Sequence, residues 1–210
     1  MIRMCVVGAG TMGRGIAYTA AVNDLKITLN DVSEETLTRA REYIDLTLER
    51  SAEKGYIDSS KLYEMKDNII YTTDMEKAVQ EVDIVIEAVF ENIELKINIF
   101  KKLDELCPEH TILATNTSTM SPTEIGAATN RPDKCIAMHF FNPVHKMKLI
   151  EIIRGLDTSD ETVQTAKRVG EKLGKETVEV NEFPGFVTSR MNCLIGNEAI
   201  SVLENLDAVG

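Results

Sequence analysis

The stretch Gly8-Ala9-Gly10-Thr11-Met12-Gly13 constrains what this chain can fold into more than any other part of it. It follows directly on a short apolar run, Ile2–Val7, and opens a helical stretch that reaches about Asn23. In that setting the first glycine permits a tight turn and the second lets a pyrophosphate approach the backbone. The third lets helix and strand pack closely. The helix start adds N–H donors and partial positive charge, both suited to phosphate. Leu25–Leu29 reads as a second strand closing at Asn30-Asp31, which puts Asp31 23 positions after Gly8 (31 − 8). An acid there bonds ribose hydroxyls and repels a 2′-phosphate. No Arg or Lys lies in Asn30–Glu35, so the pattern favours NAD over NADP. Gly8, Gly10, Thr11, Met12, Gly13 and Asp31 are therefore assigned to cofactor binding. The alternative is that the glycines only turn the chain and Asp31 only ends a strand.

Strand-like and helix-like stretches alternate from residue 2 to about residue 183. Ser33 reads as the N-cap of a long helix that runs to about Lys54, with Glu34 and Glu35 in its first turn. Lys61–Asp67 suggests a short helix and Ile69–Thr72 a short strand, and Asp83–Val89 is a continuous apolar run of the kind buried on both faces. Further on come a helix over Leu95–Leu106, extended runs at Thr111–Ala114, Cys135–Phe141 and Met147–Ile153, a helix over Thr162–Leu173 and a strand at Thr177–Val180. This predicts an α/β fold, a Rossmann-type doubly wound and mostly parallel sheet. Pro184-Gly185 marks a boundary, with residues 1–183 forming the nucleotide domain and 184–210 the start of another. After it, Met191, Leu194, Ile195, Val202, Leu203 and Leu206 recur at helical spacing across Phe186–Leu206. One amphipathic helix cannot bury such a stripe alone, so it reads as the first helix of an all-α C-terminal domain that the chain truncates.

Composition excludes several classes of function. A formal charge of −11 argues against nucleic-acid or anionic-membrane surfaces, and an anionic ligand would need locally placed Lys or Arg. No apolar run approaches the roughly 20 residues that span a bilayer. The start offers no room for a leader, and the cysteines Cys5, Cys107, Cys135 and Cys193 form no CxxC pair. Cys5 and Cys135 read as buried thiols, and a reducing, cytoplasmic setting fits them. No metal-ligand spacing stands out.

His139-Phe140-Phe141-Asn142-Pro143, with Glu151 twelve positions after His139, sets an imidazole and a carboxylate on neighbouring apolar runs. Titratable groups in such runs need a partner or a purpose. A base with its orienting acid fits, and so does a hydrogen-bonded core histidine. His110 and His145 read as surface residues.

The ordered set Gly8–Gly13, Glu87-Ala88-Val89-Phe90-Glu91-Asn92, Asn116-Thr117-Ser118, His139–Val144, Lys148–Glu151 and Pro184-Gly185-Phe186 resembles the L-3-hydroxyacyl-CoA dehydrogenases across essentially the whole chain. Within them it is most similar to the bacterial 3-hydroxybutyryl-CoA dehydrogenases. The resemblance implies reversible, NAD-linked oxidation of a 3-hydroxyacyl-CoA to a 3-ketoacyl-CoA by a homo-dimer, with the helical domain completing the acyl-CoA cleft. It implies His139 as base and Glu151 as its orienting acid. Ser118 then bonds the substrate's 3-oxygen or the nicotinamide side, where turn-forming is the alternative. Asn142 orients His139 or lines the site, or is simply the turn residue before Pro143. Asn116, Glu91 and Lys96 match cofactor-facing positions; on pattern alone the last two are equally first-turn charges on an exposed helix. Thr47 and Lys54, seven apart on one helix face, match CoA-contacting positions or a solvated face. The family often carries Asn before the Arg that follows Pro-Gly-Phe; here Ser189 precedes Arg190, and a hydroxyl lacks the amide's fork. The paired phenylalanines after His139 suggest an apolar wall suited to an acyl chain rather than to a sugar acid. A protein that binds NAD without turnover is the competing reading.

Overall fold

Runs such as Met4–Val7 and Ile84–Glu87, buried at every position, suit strands covered on both faces, and both lie at the centre of an eight-stranded sheet. The structure is a computed structural model that describes residues 2–205. Its strands are β1 (Met4–Val7), β2 (Ile27–Asn30), β3 (Ile69–Thr72), β4 (Ile84–Glu87), β5 (Ile112–Thr115), β6 (Cys135–Phe140), β7 (Leu149–Arg154) and β8 (Glu176–Asn181). Their spatial order is β3-β2-β1-β4-β5-β6-β7-β8. The first six run parallel, β7 runs antiparallel to β6, and β8 runs parallel to β7. The chain reverses its direction of winding between β1 and β4. In open sheets of this kind ligands bind outside the carboxyl ends of the strands at that point.

Helices cover both faces. On one lie α1 (Thr11–Val22), α2 (Glu34–Glu53) and α7 (Asp160–Lys172), closing a core of Val6, Ile16, Ile44, Leu48, Phe140 and Val169 among others. On the other lie α4 (Met75–Val79), α5 (Ile93–Leu106) and α6 (Pro122–Gly126) over Val7, Val85, Phe100, Leu103 and Leu113. The short α3 (Leu62–Asp67) packs beside α2. Ser33, Asn92 and Ser159 cap α2, α5 and α7, each side chain accepting from the backbone N–H three residues on. The expected Ser33 cap is therefore present. The five-residue α4 and α6 were not anticipated, because so short a segment has too few turns to show a helical period.

The sheet places β1 against α1 through one very close approach. A Cβ built on Gly13 would lie 1.7 Å from the Gly8 carbonyl oxygen, and Gly8 itself holds φ +102°. Only glycine satisfies both positions. Cys5, Cys107 and Cys135 are buried, and burial pushes the Cys107 thiol up to about 12, that of Cys135 to about 11 and that of Cys5 higher still. They are packing residues rather than nucleophiles.

Beyond Pro184, α8 (Thr188–Glu204) meets the sheet at its first residue, where Thr188 bonds Glu151 of β7, and none of its described residues is fully buried. Phe186 packs against Ala137 and Ile153, while Met191, Leu194, Ile195 and Leu203 are more than half exposed. Leu206, the last member of that stripe in the sequence, lies outside the described residues. Among the described residues no helix is long and apolar enough to cross a membrane.

Candidate active site

The glycine loop sits at the reversal point between β1 and β4. Gly8 donates to the Asn30 carbonyl and Ala88 to the Val7 carbonyl, so the loop is fastened to both neighbours of β1. Asp31 fastens it from the side, accepting from the Ala9 N–H at 2.8 Å and the Ser33 N–H at 3.0 Å. A carboxylate offers about four acceptor directions, so two remain for hydroxyl donors. A Cβ built on Gly10 meets nothing within 4 Å, and α1 carries no side-chain cap on its first amides. Open space at Gly10 beside the uncapped amides of Thr11, Met12 and Gly13 fits a pyrophosphate.

Across the crevice from this loop is a buried charge cluster. Glu87 is fully buried at the end of β4, and Lys96 in α5 is 1% exposed. The Lys96 Nζ lies 2.8 and 3.0 Å from the two Glu87 oxygens and 3.2 Å from Glu91 Oε2. Thr115 and the Val89 N–H complete the Glu87 carboxylate. Lys96 is therefore not a solvated first-turn charge: α5 points it inward, and its ammonium is held between two carboxylates. Glu91 faces outward and accepts from the Ser118 N–H at 2.8 Å, the Thr117 hydroxyl at 2.9 Å and the Ser118 hydroxyl at 3.3 Å. Burial raises the Glu91 carboxyl, but the Ser118 amide, the Lys96 charge and the Thr117 hydroxyl outweigh it and hold it below the usual range. Asn116, just beyond β5, accepts from the Phe140 N–H at 2.9 Å and so joins the ends of β5 and β6.

β6 and β7 bring the imidazole to its partner. Their antiparallel register sets His139 directly opposite Glu151. His139 Nδ1 lies 2.8 Å from Glu151 Oε2, with His139 7% and Glu151 1% exposed. That bond makes Nδ1 the donor in the neutral ring and leaves Nε2 as the acceptor. The same carboxylate accepts from the Thr188 N–H at 3.1 Å and the Thr188 hydroxyl at 3.0 Å. Strand alternation puts Phe141 on the His139 face, with ring centroids 4.5 Å apart. Phe140 goes to the opposite face and into the core, so the expected wall of two phenylalanines is corrected. The second aromatic ring against His139 is Phe186, at 5.9 Å. Asn142 is exposed and makes no side-chain hydrogen bond among the described residues, so orienting His139 falls to Glu151 rather than to it. Ser189 is half-buried and likewise makes none among the described residues.

Thr47 and Lys54 line a cavity of about 640 Å³ between α1, α2 and the loop after β6, together with Tyr18, Arg50, His145, Lys146 and Lys175. Their helix face is thus a cavity wall. The Thr47 hydroxyl is turned back to the Tyr43 carbonyl. No acidic residue lines this cavity among the described residues. His145 was expected at the surface, but Val144 seats the loop against Gly15 and lays the imidazole edge-on to Tyr18, centroids 5.5 Å apart. Burial, then Lys146 and Lys175, lower its affinity for a proton. Lys175 is buried against the Val144 and Met147 carbonyls, and burial lowers it too. His110 is exposed, as expected.

Sequence reasoning quoted Glu87 and Phe186 within motifs but gave them no role, and it missed Thr188. Glu87 carried a signal, a charge ending the buried run Ile84-Val85-Ile86. Thr188 carried none, because its partner lies 37 residues away.

Comparison with known proteins is consistent with this geometry. Residues 3–183 match the model of the 3-hydroxyacyl-CoA dehydrogenase NAD-binding domain. A probable 3-hydroxybutyryl-CoA dehydrogenase of Bacillus subtilis is 46% identical over 198 residues, covering 94% of this chain and 69% of that protein. The 3-hydroxybutyryl-CoA dehydrogenase of Clostridioides difficile is 40% identical, covering 96% of this chain and 71% of its own length. The crystal structure of the (S)-3-hydroxybutyryl-CoA dehydrogenase of Ralstonia eutropha superposes with a TM-score of 0.94 at 39% identity, over 98% of this chain and 72% of that one.

The two glycines separate fold from binding. Gly13→Ala should destabilise the protein by about 1–3 kcal/mol, since its methyl group would overlap the Gly8 carbonyl. Gly10→Ala should leave the melting temperature unchanged and weaken NAD binding, measured by isothermal titration. Equal affinity in wild type and Gly10→Ala would remove the loop from the cofactor site.

Proposed function

The chain belongs to the 3-hydroxyacyl-CoA dehydrogenase family, and on that premise we propose that it catalyses the reversible, NAD-linked oxidation of an (S)-3-hydroxyacyl-CoA to the 3-ketoacyl-CoA. A short acyl chain, as in 3-hydroxybutyryl-CoA, is the substrate we infer, and fatty-acid or butanoate metabolism the setting. The observation that carries this reading is a buried imidazole whose Nδ1 is committed to Glu151 and whose Nε2 has no partner among the described residues.

In the oxidation direction His139 Nε2 removes the proton from the substrate's 3-hydroxyl, and Glu151 stabilises the imidazolium that results. NAD, held by the Gly8–Gly13 loop and Asp31, would supply the acceptor for the hydride that leaves C3. Ser118 bonds the 3-oxygen; its 3.3 Å contact to Glu91 is long enough to be exchanged for a ligand. Glu91 and Lys96 hold Ser118 and the cofactor-facing edge of α5. Phe141 and Phe186 keep water from the imidazole. The cations around the cavity, Lys54 among them, take the CoA phosphates in a protein whose overall charge is −11. We assign residues from 184 onward to a second, helical unit and propose that the α8 stripe is covered by a second copy of the chain.

A preparation of this protein should oxidise NADH in the presence of acetoacetyl-CoA. His139→Gln should lower kcat by at least about 100-fold while sparing NAD affinity. NADH that is bound but never consumed would leave a nucleotide-binding protein instead, and loss of NAD binding in His139→Gln would mark the histidine as structural. In the same assay Lys54→Ala should raise KM for acetoacetyl-CoA several-fold and leave KM for the N-acetylcysteamine thioester, which lacks phosphates, where it was; a parallel rise in both would place the CoA elsewhere. Light scattering should report a dimer or larger, and a monodisperse monomer would refute self-association through α8.

A further inference from the structure

Glu151 is gripped from two directions. Its Oε2 accepts from His139 Nδ1 at 2.8 Å and from the Thr188 hydroxyl at 3.0 Å, while Oε1 accepts from the Thr188 N–H at 3.1 Å. The strand register fixes where the Glu151 backbone lies opposite His139, but not the plane of its carboxylate. The last torsion of a glutamate is broad and nearly two-fold, so it is settled by partners rather than by rotamer preference. Thr188 supplies two of the three donors to that carboxylate. Its χ1 is restricted to few rotamers because the side chain is β-branched, and the one adopted aims the hydroxyl at Glu151 Oε2.

Thr188 is also the first residue of α8, whose initial N–H groups have no partner within the helix. A buried carboxylate receiving one of them is a favourable end to the helix. The seat of α8 and the geometry of the imidazole therefore meet on one side chain.

We propose that Thr188 is a positioning residue for the His139–Glu151 pair. It locks the carboxylate plane on Nδ1 and transmits the placement of α8 to the base. This rests on the reading of His139 as the base, so the test includes a measurement that does not need turnover.

Thr188→Val keeps the shape and the backbone N–H but removes the hydroxyl; Thr188→Ser restores the hydroxyl. In ¹⁵N-labelled protein the His139 Nδ1–H resonance, identified by its loss in His139→Gln, should move upfield or broaden in Thr188→Val and return toward wild type in Thr188→Ser. In the acetoacetyl-CoA assay Thr188→Val should lower kcat about five- to tenfold, the scale of one typical net hydrogen bond, with KM and NAD affinity unchanged. Thr188→Ser should recover most of the loss. An Nδ1–H signal identical in Thr188→Val and wild type would overturn the proposal whether or not the protein turns over. So would equal losses in the Val and Ser variants, which would indicate packing alone. Should Thr188→Val fail to fold, Thr188→Ala, which only removes atoms, carries the same comparison.

Discussion

The reversal of direction between β6 and β7 is the constraint on which the site depends. Six parallel strands deliver their ends, and so the glycine loop, Glu87, Asn116 and His139, to one edge of the sheet. A seventh strand in the same direction would bring its end there too, after a long crossover. β7 instead enters from that edge, so its third residue pairs with the fifth of β6 and sets Glu151 against His139. The eight residues between Phe140 and Leu149 (149 − 140 − 1) then suffice to join the two strands, which antiparallel pairing allows and parallel pairing does not. One slip of the register would send Glu151 to the other face of the sheet and leave a buried imidazole without its acceptor.

Two groups of buried charge flank the crevice, and stability alone is a weak reason for either. A paired ion in the interior recovers little more than its desolvation cost, and removing one partner is far worse than replacing both with apolar groups. Lys96 with Glu87 and Glu91, and His139 with Glu151, are in that position. Their common property is geometric. Each spends a buried charge to hold a second group, Ser118 in one case and the imidazole Nε2 in the other, at the carboxyl edge of the sheet. Arg131 makes the contrast: it pairs with Asp104 away from that edge and bonds the carbonyls of Asp104 and Pro108, an arrangement that only ties loops together.

Local patterns made most of this legible. The strand, glycine turn, helix and acid of the first 31 residues are a sequence-local unit, and the structure keeps each part where the spacing puts it. His139 and Glu151 were readable because a turn joins them. Phe140 was misread although strand alternation, applied to His139 and Phe141, already assigned it to the far face. On pattern alone Lys96 read equally as a cofactor-facing residue or an exposed first-turn charge, because its partner Glu87 lies nine residues back, on another element. Thr188 and His145 were beyond reach for a related reason. What gives each its place is a contact across the fold, Thr188 with β7 and His145 with α1, and neither leaves a periodic trace.

Helix α1 ties the two anion-directed regions together. Its first turn offers uncapped amides at the crevice, and its later residues Tyr18, Thr19 and Val22, with its C-cap Asn23, line the cation-rich cavity. Twelve residues of helix span about 18 Å, so two polyanions could be held at once without sharing a site. The overall charge of −11 works against both, yet charges beyond about 8 Å are largely screened at physiological salt. What an incoming phosphate meets is therefore the local field: a helix terminus at one end, and Arg50, Lys54 and Lys146 at the other.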